Sequence, residues 1–368
     1  EAGDTSSGVV NGTLSLNAAT GDVTYTPDAG YIGAEFLTYT GQGFSQSVTI
    51  RVGVLPDDPG RFGFTLFGSQ DREFLGSSVE NAGDFNGDGS EELIVGSRFP
   101  LNASGSSYGD FLAPGHATIL FGGTDPFPVL LTESDLNAAT GFVLNGEEDG
   151  DNSGTSVSGL GDINGDGIDD VLVGARSAQT QNGTGTGKAY VVFVANDLSG
   201  ASLDLGTLDG TNGFALVGPG SRSFASSSAS AVGDFNNDGL NDFLIGSAGS
   251  DQAFLVFGSQ DPFVPELDLR QPDGVGAVRL AASNAPGTIG FPVFGLGDIN
   301  GDGFDDILVA SRNTSSSGSF PLDEGYVLFG TDEPLGPLFD LSNLDGSNGF
   351  VLSGFGTPNT RLWEVNAS

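Results

Sequence analysis

The segment Asp162-Ile163-Asn164-Gly165-Asp166-Gly167-Ile168-Asp169-Asp170, followed directly by Val171-Leu172-Val173-Gly174-Ala175, decides how this chain folds. Its side-chain oxygens stand at positions 1, 3, 5 and 9 of a glycine-rich turn, and the turn leads into an apolar run typical of a buried strand. Oxygen atoms spaced in this way can surround a hard cation. The segment is therefore a candidate cation-binding loop joined to a β-strand.

The same unit occurs three more times in the chain. The copies lie at 84–92, 234–242 and 298–306, and each follows a glycine and precedes a short apolar run. The loop starts are separated by 78, 72 and 64 residues. This period is too long for a single hairpin and fits a repeat of several strands.

Each period contains the same order of segments. A Ser/Gly/Val run precedes the loop, a strand follows it, and then come an aromatic strand such as 189–193 and a Phe-x-Leu-x-Gly strand such as 214–218. The last strand is weaker at 277–280, and an extra copy at 64–68 stands before the first period. Four strands per repeat predict an all-β chain of β-propeller blades.

Composition supports this fold class and excludes several functions. The chain has 61 Gly and 28 Phe but no Met or Cys, a balance that favours short strands joined by glycine turns and almost no helix. Without Cys, thiol catalysis and thiolate metal sites are excluded. A net charge of −37 disfavours nucleic acid as a partner. No apolar stretch of about 20 residues occurs, so no direct membrane insertion is expected.

The loops are predicted to bind Ca²⁺, about one ion in each of the four repeats. An EF-hand would need a bidentate Glu at position 12, where this chain has apolar strand residues, so position 9 supplies the closing carboxylate instead. Oxygen ligands without His or Cys favour Ca²⁺ over zinc or copper, and a flexible protein cage favours it over Mg²⁺. The alternative is that Asp-Asn-Gly runs only form turns.

Position 7 is predicted to contribute a backbone carbonyl, and positions 1, 3, 5 and 9 contribute side chains. The predicted ligand residues are Asp84, Asn86, Asp88, Ser90 and Glu92 in the first loop, Asp162, Asn164, Asp166, Ile168 and Asp170 in the second, Asp234, Asn236, Asp238, Leu240 and Asp242 in the third, and Asp298, Asn300, Asp302, Phe304 and Asp306 in the fourth. Glu92 is longer than the Asp of the other copies, which makes the geometry of the first loop the least regular.

The chain before the repeats has a different pattern. Residues 1–55 alternate apolar and polar side chains in four runs, which predicts a small antiparallel β-sandwich, and 56–61 form a proline-containing linker to a propeller at 62–368. The segments at 12–16, 25–33 and 36–39 resemble the second half of a bacterial cadherin-like or immunoglobulin-like tandem repeat. The resemblance implies a fragment of a longer surface protein.

The repeats themselves resemble FG-GAP repeats, the blades of the integrin α-subunit propeller and of many bacterial surface proteins. The resemblance covers about 290 residues, because strand order, glycines and acidic loop agree in all four copies. It implies that each loop joins the first and second strands of a blade and binds Ca²⁺ on the lower face, while ligands bind the upper face. This chain has fewer blades than the integrin propeller. Either four blades close the ring or the sequence continues, and we expect the second.

Few residues outside the loops are candidates for catalysis or ligand binding. His116 is the single His of the chain and is expected at the surface. One His and no Cys provide few residues from which a catalytic triad could be built, so no enzymatic activity is predicted. Arg98, Arg176 and Arg312 share one repeat position, where the third blade has Ala248. They could bind an acidic ligand near the upper rim. The alternative is pairing with neighbouring acids or capping of loop carbonyls.

The sequence thus predicts a calcium-binding extracellular β-propeller, serving as a ligand-binding or adhesion module of a secreted or cell-surface protein. Its partner would be a protein or polysaccharide on the upper propeller face. The alternative is the scaffold or substrate-binding part of an extracellular hydrolase or lyase. This functional interpretation rests on the family resemblance more than on the residues.

Overall fold

The computed structural model describes residues 12–16, 23–27, 33–41, 44–52, 65–68, 73–98, 113–123, 130–193, 202–283, 285, 288–312 and 324–353. These residues form 25 strands and four single-turn 3-10 helices. The prediction of an all-β chain is confirmed. Within the described residues, no helix has the length and apolar character needed to cross a membrane.

The chain divides into two compact units. In the first, β1 (Gly12–Leu16) pairs antiparallel with β2 (Val23–Pro27), and β3 (Gly33–Gly41) pairs antiparallel with β4 (Phe44–Val52). Four strands therefore lie where the alternating pattern predicted them. The cadherin-like assignment stays a prediction, and the predicted linker at 56–61 lies outside the described residues.

The second unit contains four consecutive blades, each an antiparallel sheet of four main strands. The first blade consists of β6 (Phe74–Gly83), β7 (Glu92–Arg98), β8 (His116–Leu120) and β10 (Gly141–Asn145). The second consists of β11 (Ser153–Gly161), β12 (Asp170–Ala175), β13 (Lys188–Val192) and β15 (Gly213–Val217). The third consists of β16 (Ala225–Gly233), β17 (Asp242–Ser247), β18 (Gln252–Val256) and β20 (Ala277–Ala281). The fourth consists of β21 (Thr288–Gly297), β22 (Asp306–Arg312), β23 (Glu324–Leu328) and β25 (Gly349–Ser353).

Each of the first three sheets also receives a short fifth strand from the following blade, which the sequence analysis did not predict. β14 (Ser202–Asp204) runs parallel to β10, β19 (Glu266–Asp268) to β15, and β24 (Leu338–Asp340) to β20. In the same way, β9 (Leu130–Thr132) of the first blade pairs with β5 (Thr65–Phe67), the extra strand before the first period.

Short 3-10 helices follow most of these parallel strands. η1 (Glu133–Asp135), η2 (Leu205–Thr207) and η4 (Leu341–Asn343) follow β9, β14 and β24. The fourth 3-10 helix, η3 (Ala248–Ser250), follows β17. The parallel strands tie each blade to its predecessor, so the blades form a connected stack. Closure of the stack into a ring stays a prediction.

The hydrophobic core lies between consecutive blades. One cluster joins Ile94 and Ile119 of the first blade to Val173 and Tyr190 of the second, and two further clusters repeat this arrangement along the stack. Because neighbouring blades cover both faces of β12 and β17, every residue of these two strands is buried. This explains why the strands after the loops are apolar runs rather than alternating patterns.

The first strands of the blades lie side by side and are joined by serine hydroxyls. Ser78 Oγ accepts a hydrogen bond from the backbone N–H of Val157 at 3.2 Å, and Ser158 Oγ accepts one from Ala231 at 3.2 Å. Small side chains at these positions allow neighbouring backbones to approach closely. The Ser/Gly/Val run before each loop is thus the blade-to-blade joint.

A second joint connects consecutive acidic loops through position 8. Asp169 Oδ2 accepts a hydrogen bond from the backbone N–H of Asp84 at 2.7 Å, and Asp305 Oδ2 accepts one from Asp234 at 2.8 Å. In the intermediate loop, the backbone N–H of Asn241 donates to the Asp162 carbonyl at 3.1 Å. Each loop therefore holds the first residue of the loop before it.

This joint explains the glycine that precedes each loop. Gly161 has φ +71°, and a Cβ there would lie 2.0 Å from Asn241 Nδ2 of the next blade. At Gly297 in the fourth blade the φ is similar, +66°, but a Cβ would meet only Asp305 Oδ1 at 3.9 Å. Gly161 is required both by its positive φ and by the close approach of Asn241. Gly297 is required by its positive φ alone.

Replacing these two glycines with alanine should separate the two requirements. Both G161A and G297A place Ala in a left-handed conformation, but only G161A pushes against the next blade. We expect G161A to destabilise the protein by about 1–3 kcal/mol more than G297A. The midpoints of denaturant unfolding at constant calcium measure the difference. Equal midpoints for the two variants would show that the joint does not restrict position 161.

Candidate metal centres

Each acidic loop connects the first strand of a blade to the second, as the resemblance implied. Position 9 is the first residue of the second strand, so Glu92, Asp170, Asp242 and Asp306 are buried at the base of their blades. Positions 1, 3 and 5 are half-buried or exposed. A carboxylate at the bottom of each loop and several near its mouth form a partly enclosed oxygen site.

The upper part of each loop is organised by side chains that accept hydrogen bonds from the loop backbone. In the second loop, Gly167 N–H donates to Asp162 Oδ2 at 2.9 Å, Asp166 N–H to Asn164 Oδ1 at 2.8 Å, and Ile168 N–H to Asp166 Oδ1 at 2.9 Å. The same contacts recur in the other three loops. The Asp, Asn and Asp of positions 1, 3 and 5 therefore face the inside of one turn.

The buried carboxylate of position 9 is hydrogen-bonded to the loop from below. Asp170 Oδ2 accepts from Ile163 N–H at 3.0 Å and Asp242 Oδ2 from Phe235 N–H at 2.9 Å. Burial raises the pKa of Asp170 and of Asp242 to about 8, and the loop's other carboxylates add to the effect. Burial likewise raises the pKa of Glu92 to about 7 and raises that of Asp306. At neutral pH these groups need a compensating positive charge or a proton.

Two observations show that the loop residues fit a divalent cation. Asp84 Oδ1 and Asp170 Oδ1 are buried and have no hydrogen-bond partner within the described residues. In the first loop, carboxylate oxygens of Asp84, Asp88 and Glu92 lie within 4.8 Å of one another. Unsatisfied buried oxygens beside other carboxylates are the donors that a hard cation would use. The loop with the longer Glu92 is thus the one in which the acids converge most closely.

Position 7 contributes a packing side chain in the second and third blades. Ile168 packs against the core cluster between the first two blades, and Leu240 is buried. These side chains stabilise the joint between blades and carry no ligand atom. Any contribution of position 7 to a metal site would come from its carbonyl, which remains a prediction.

The repeated arginines lie at the other end of the second strand from the acidic loops. Arg98 ends β7 and stacks on Phe74, with Cζ 4.9 Å from the ring centroid, while Arg176 follows β12 with Cζ 5.7 Å from the Phe224 ring centroid. Desolvation and the positive charge of Arg98 lower the pKa of Arg176. Arg312 ends β22, but its side chain lies outside the described residues.

Neither Arg98 nor Arg176 pairs with an acid within the part of the chain that the structure describes. The expected alternative, local pairing with neighbouring carboxylates, is therefore not what holds these two side chains. Aromatic stacking holds them instead, and it leaves their charge available.

The expectation that His116 is a surface residue is wrong. Its side chain is only 11% exposed and contacts Glu133 through Nε2 at 2.7 Å. His116 is the first residue of β8, where the second blade has Lys188. The sequence contained no sign of this burial because Glu133 is 17 residues away and belongs to the connection between β8 and β10.

Comparison with known protein families identifies an FG-GAP repeat at residues 153–192 and 292–320. These two segments of the chain are similar to an FG-GAP repeat. The first match spans β11, the acidic loop, β12 and β13, and the second begins in β21 and includes the loop at 298–306. Family matching and strand order therefore agree on the same unit.

Relatives of the chain are integrin α subunits. It is 29% identical to integrin alpha-8 of Mus musculus over 251 residues, which is 66% of this chain and 20% of the relative. It is 33% identical to integrin alpha-PS5 of Drosophila melanogaster over 176 residues, 46% of this chain and 16% of the relative. It is 25% identical to integrin alpha pat-2 of Caenorhabditis elegans over 323 residues, 85% of this chain and 23% of the relative.

These similarities and the four blades support an integrin-like FG-GAP β-propeller. The chain spans about a fifth of the length of the relatives it matches. The bacterial origin and the cadherin-like repeat remain predictions.

The buried acids give a pH prediction for the metal-free protein. Their pKa values are raised on folding, so the folded state keeps protons that the unfolded chain releases near pH 4, and stability should fall as pH rises toward 8. In excess EDTA, the melting temperature should be higher at pH 5 than at pH 8. The D170N variant, which removes one such charge, should melt higher than the unmodified protein at pH 8 in EDTA. A D170N protein that melts lower in EDTA would contradict this account.

Proposed function

We propose that this chain is a calcium-binding β-propeller that acts outside the cell as a ligand-binding or adhesion module. The observation that carries the proposal is the fourfold acidic loop, with buried carboxylates whose pKa values are raised, in a chain similar to integrin α subunits. The same similarity supports a binding role rather than catalysis. The chain covers only a part of these relatives. What the whole protein does is therefore also a proposal.

Calcium would be held by the side chains at loop positions 1, 3, 5 and 9, with about four ions in the chain. The bound ion would supply the positive charge that the buried position 9 carboxylate lacks. Position 8 of the same loop bonds to the loop before it, so ordering one loop also orders the joint with its neighbour. Calcium is therefore proposed to stabilise the stack rather than to contact a ligand.

Removal of calcium should weaken the fold. Excess EDTA should lower the melting temperature at pH 7.5, because carboxylates gathered within a few ångströms then repel one another. Added Ca²⁺ should restore it, and Mg²⁺ at the same concentration should restore it less. Equilibrium dialysis should find about four Ca²⁺ per chain, and about one fewer in D170N. A melting temperature unchanged by EDTA would overturn the proposal.

The recognition surface is proposed at the arginine end of the second strands, which we call the arginine edge and define by Arg98, Arg176 and Arg312. A strand of the length of β7 places this edge about 20 Å from the calcium loops. Arg98 and Arg176 have no acidic partner among the described residues. Guanidinium groups bind carboxylates in a planar, bidentate manner. The ligand is therefore proposed to be an acidic segment of a protein.

Binding of an acidic probe should depend on the arginine edge. Replacing Arg98, Arg176 and Arg312 together with Ala should weaken binding of a poly-glutamate peptide at low salt by at least about tenfold, since each charge-assisted contact contributes about 1.5–3 kcal/mol. Arg270 is a matched control because it already pairs with Asp268, so R270A should bind as the unmodified chain does. Calcium affinity should not change in either variant.

The chemical class of the ligand can be tested with the same proteins. Fluorescence anisotropy with poly-glutamate and with polygalacturonate, a carboxylated polysaccharide, should show preference for the peptide. Preference for the polysaccharide would assign that class instead, and equal binding by the triple variant and R270A would overturn the arginine edge as a binding surface.

A further inference from the structure

Positions 3 and 4 of the acidic loops carry a chemically reactive pair of residues. The pair is Asn-Gly in the first, second and fourth loops, at 86–87, 164–165 and 300–301, and Asn236-Asn237 in the third. In an Asn-Gly pair the glycine nitrogen can attack the side-chain carbonyl carbon of the asparagine, because both groups belong to one short piece of chain and the glycine has no side chain to obstruct them. Three loops are therefore candidate sites of deamidation, and the third is a natural comparison.

The reaction needs only water. The glycine nitrogen forms a bond with the asparagine Cγ, its proton passes through water to the leaving amide, and the amide departs as ammonia. Water then opens the resulting succinimide ring at either of its carbonyl carbons, which gives aspartate or isoaspartate. Both products carry a new carboxylate, and isoaspartate also lengthens the main chain by a methylene group.

The glycine N–H is restrained in the second and fourth loops. Gly165 N–H donates a hydrogen bond to Asp162 Oδ1 at 2.7 Å, and Gly301 N–H donates to Asp298 Oδ1 at 2.6 Å. A hydrogen bond to a carboxylate is charge-assisted, and it must break before the nitrogen can lose its proton and turn toward the asparagine. The folded second and fourth loops therefore resist the reaction.

The first loop lacks this restraint. Gly87 is exposed and its N–H makes no hydrogen bond within the described residues, while Asp84 Oδ1, the atom that would accept it, has no partner there either. The longer side chain at position 9 accompanies this difference. Glu92 accepts hydrogen bonds from the backbone N–H and the side-chain amide of Asn86, at 3.4 and 3.3 Å. The first loop is thus held through its asparagine and leaves the glycine nitrogen unbonded.

The asparagine side chain is oriented alike in all four loops. Asn86 Oδ1 accepts a hydrogen bond from Asp88 N–H at 2.8 Å, and the same contact recurs at Asn164, Asn236 and Asn300. Such a bond stabilises the negative charge that develops on the oxygen when the carbonyl carbon is attacked. Because this contact is shared, the residue and the hydrogen bond at position 4 decide which loop reacts.

Asn-Gly pairs outside the acidic loops are also restrained by the fold. Gly146 and Gly183 donate N–H hydrogen bonds to backbone carbonyls at 2.9 and 3.0 Å. Gly213 and Gly349 begin β15 and β25, where they pair with the third strands of their blades. Asn86 is therefore the described asparagine whose following glycine lies neither in a paired strand nor in a hydrogen bond.

We propose that Asn86 is a deamidation site of the folded, metal-free chain and that Ca²⁺ in the first loop protects it. Reactivity of Asn86 follows from the contacts of its loop alone, and protection rests on the proposed function, because a bound ion would hold the Asn86 oxygen and the carboxylates around it. Isoaspartate at this position would displace Asp88 relative to Asp84. Deamidation would therefore convert a temporary loss of calcium into a permanent loss of the first site.

The test is incubation of the full chain in EDTA near neutral pH, followed by peptide mapping with mass spectrometry that separates aspartate from isoaspartate. Asn86 should react at least about tenfold faster than Asn164 and Asn300, where a charge-assisted hydrogen bond must first break. The chain unfolded in urea is the reference in which every Asn-Gly pair reacts. Equal rates at Asn86 and Asn164 in the folded protein, or an Asn86 that reacts only in urea, would overturn the proposal.

Two reciprocal variants exchange the reactive pair between loops. G87N gives the first loop the pair of the third, and it should fold because Asn237 has φ +57° where Gly87 has +71°. Asn86 should then react as slowly as Asn236 does. N237G should make Asn236 reactive, since the N–H at position 4 of that loop makes no hydrogen bond within the described residues. A G87N chain that is modified at Asn86 as fast as the unmodified protein would contradict the assignment.

Calcium separates this inference from the proposed function. Saturating Ca²⁺ should slow modification of Asn86 at least about tenfold, because the reaction then requires opening of an occupied loop. If Asn86 reacts in EDTA and Ca²⁺ does not slow it, the deamidation site stands and calcium binding by the first loop fails. If dialysis shows that calcium binds but Asn86 does not react in EDTA, the proposed function stands and the deamidation site fails.

Discussion

The structure depends on the packing of one blade against the next. A single four-stranded blade of this chain has apolar side chains on both faces, and the three core clusters each combine residues of two blades. No blade can bury such a surface alone, so each requires its neighbour, as in other repeat proteins. Serine hydroxyls of the first strands, the short parallel strands and the loop contacts of position 8 all lie in these same joints.

The charge of the chain is organised around the joints. Each acidic loop buries its position 9 carboxylate at the base of a blade, and position 8 of the second, third and fourth loops bonds to the loop before it. Electrostatic repulsion within a loop therefore acts directly on the stack. A cation in the loop would relieve that repulsion where the blades meet. Arg98 and Arg176 belong to the opposite end of the second strands from these loops.

The sequence predicted the regular part of this arrangement well. Four copies of one pattern identify the loops, the strands after them and the all-β fold. Loop spacing and apolar runs involve only residues that are neighbours in the sequence, so they can be recognised without the structure. It did not predict the parallel fifth strands, the role of position 8 or the burial of His116. Each of these depends on a contact between segments far apart in the chain: Asp84 meets Asp169, and His116 meets Glu133.

The sequence by itself determined the repeat, the oxygen-rich loops and the absence of thiol chemistry, since these follow from residue types and their spacing. Only the tertiary structure decided which carboxylate of each loop is buried, that Asp84 and Asp170 keep an unsatisfied oxygen, and that Arg98 and Arg176 lack acidic partners among the described residues. It also decided that Glu73, His116 and Glu133 meet. Burial and pairing are properties of the assembled blades, because the atoms that exclude water or complete a charge pair come from other repeats and connections.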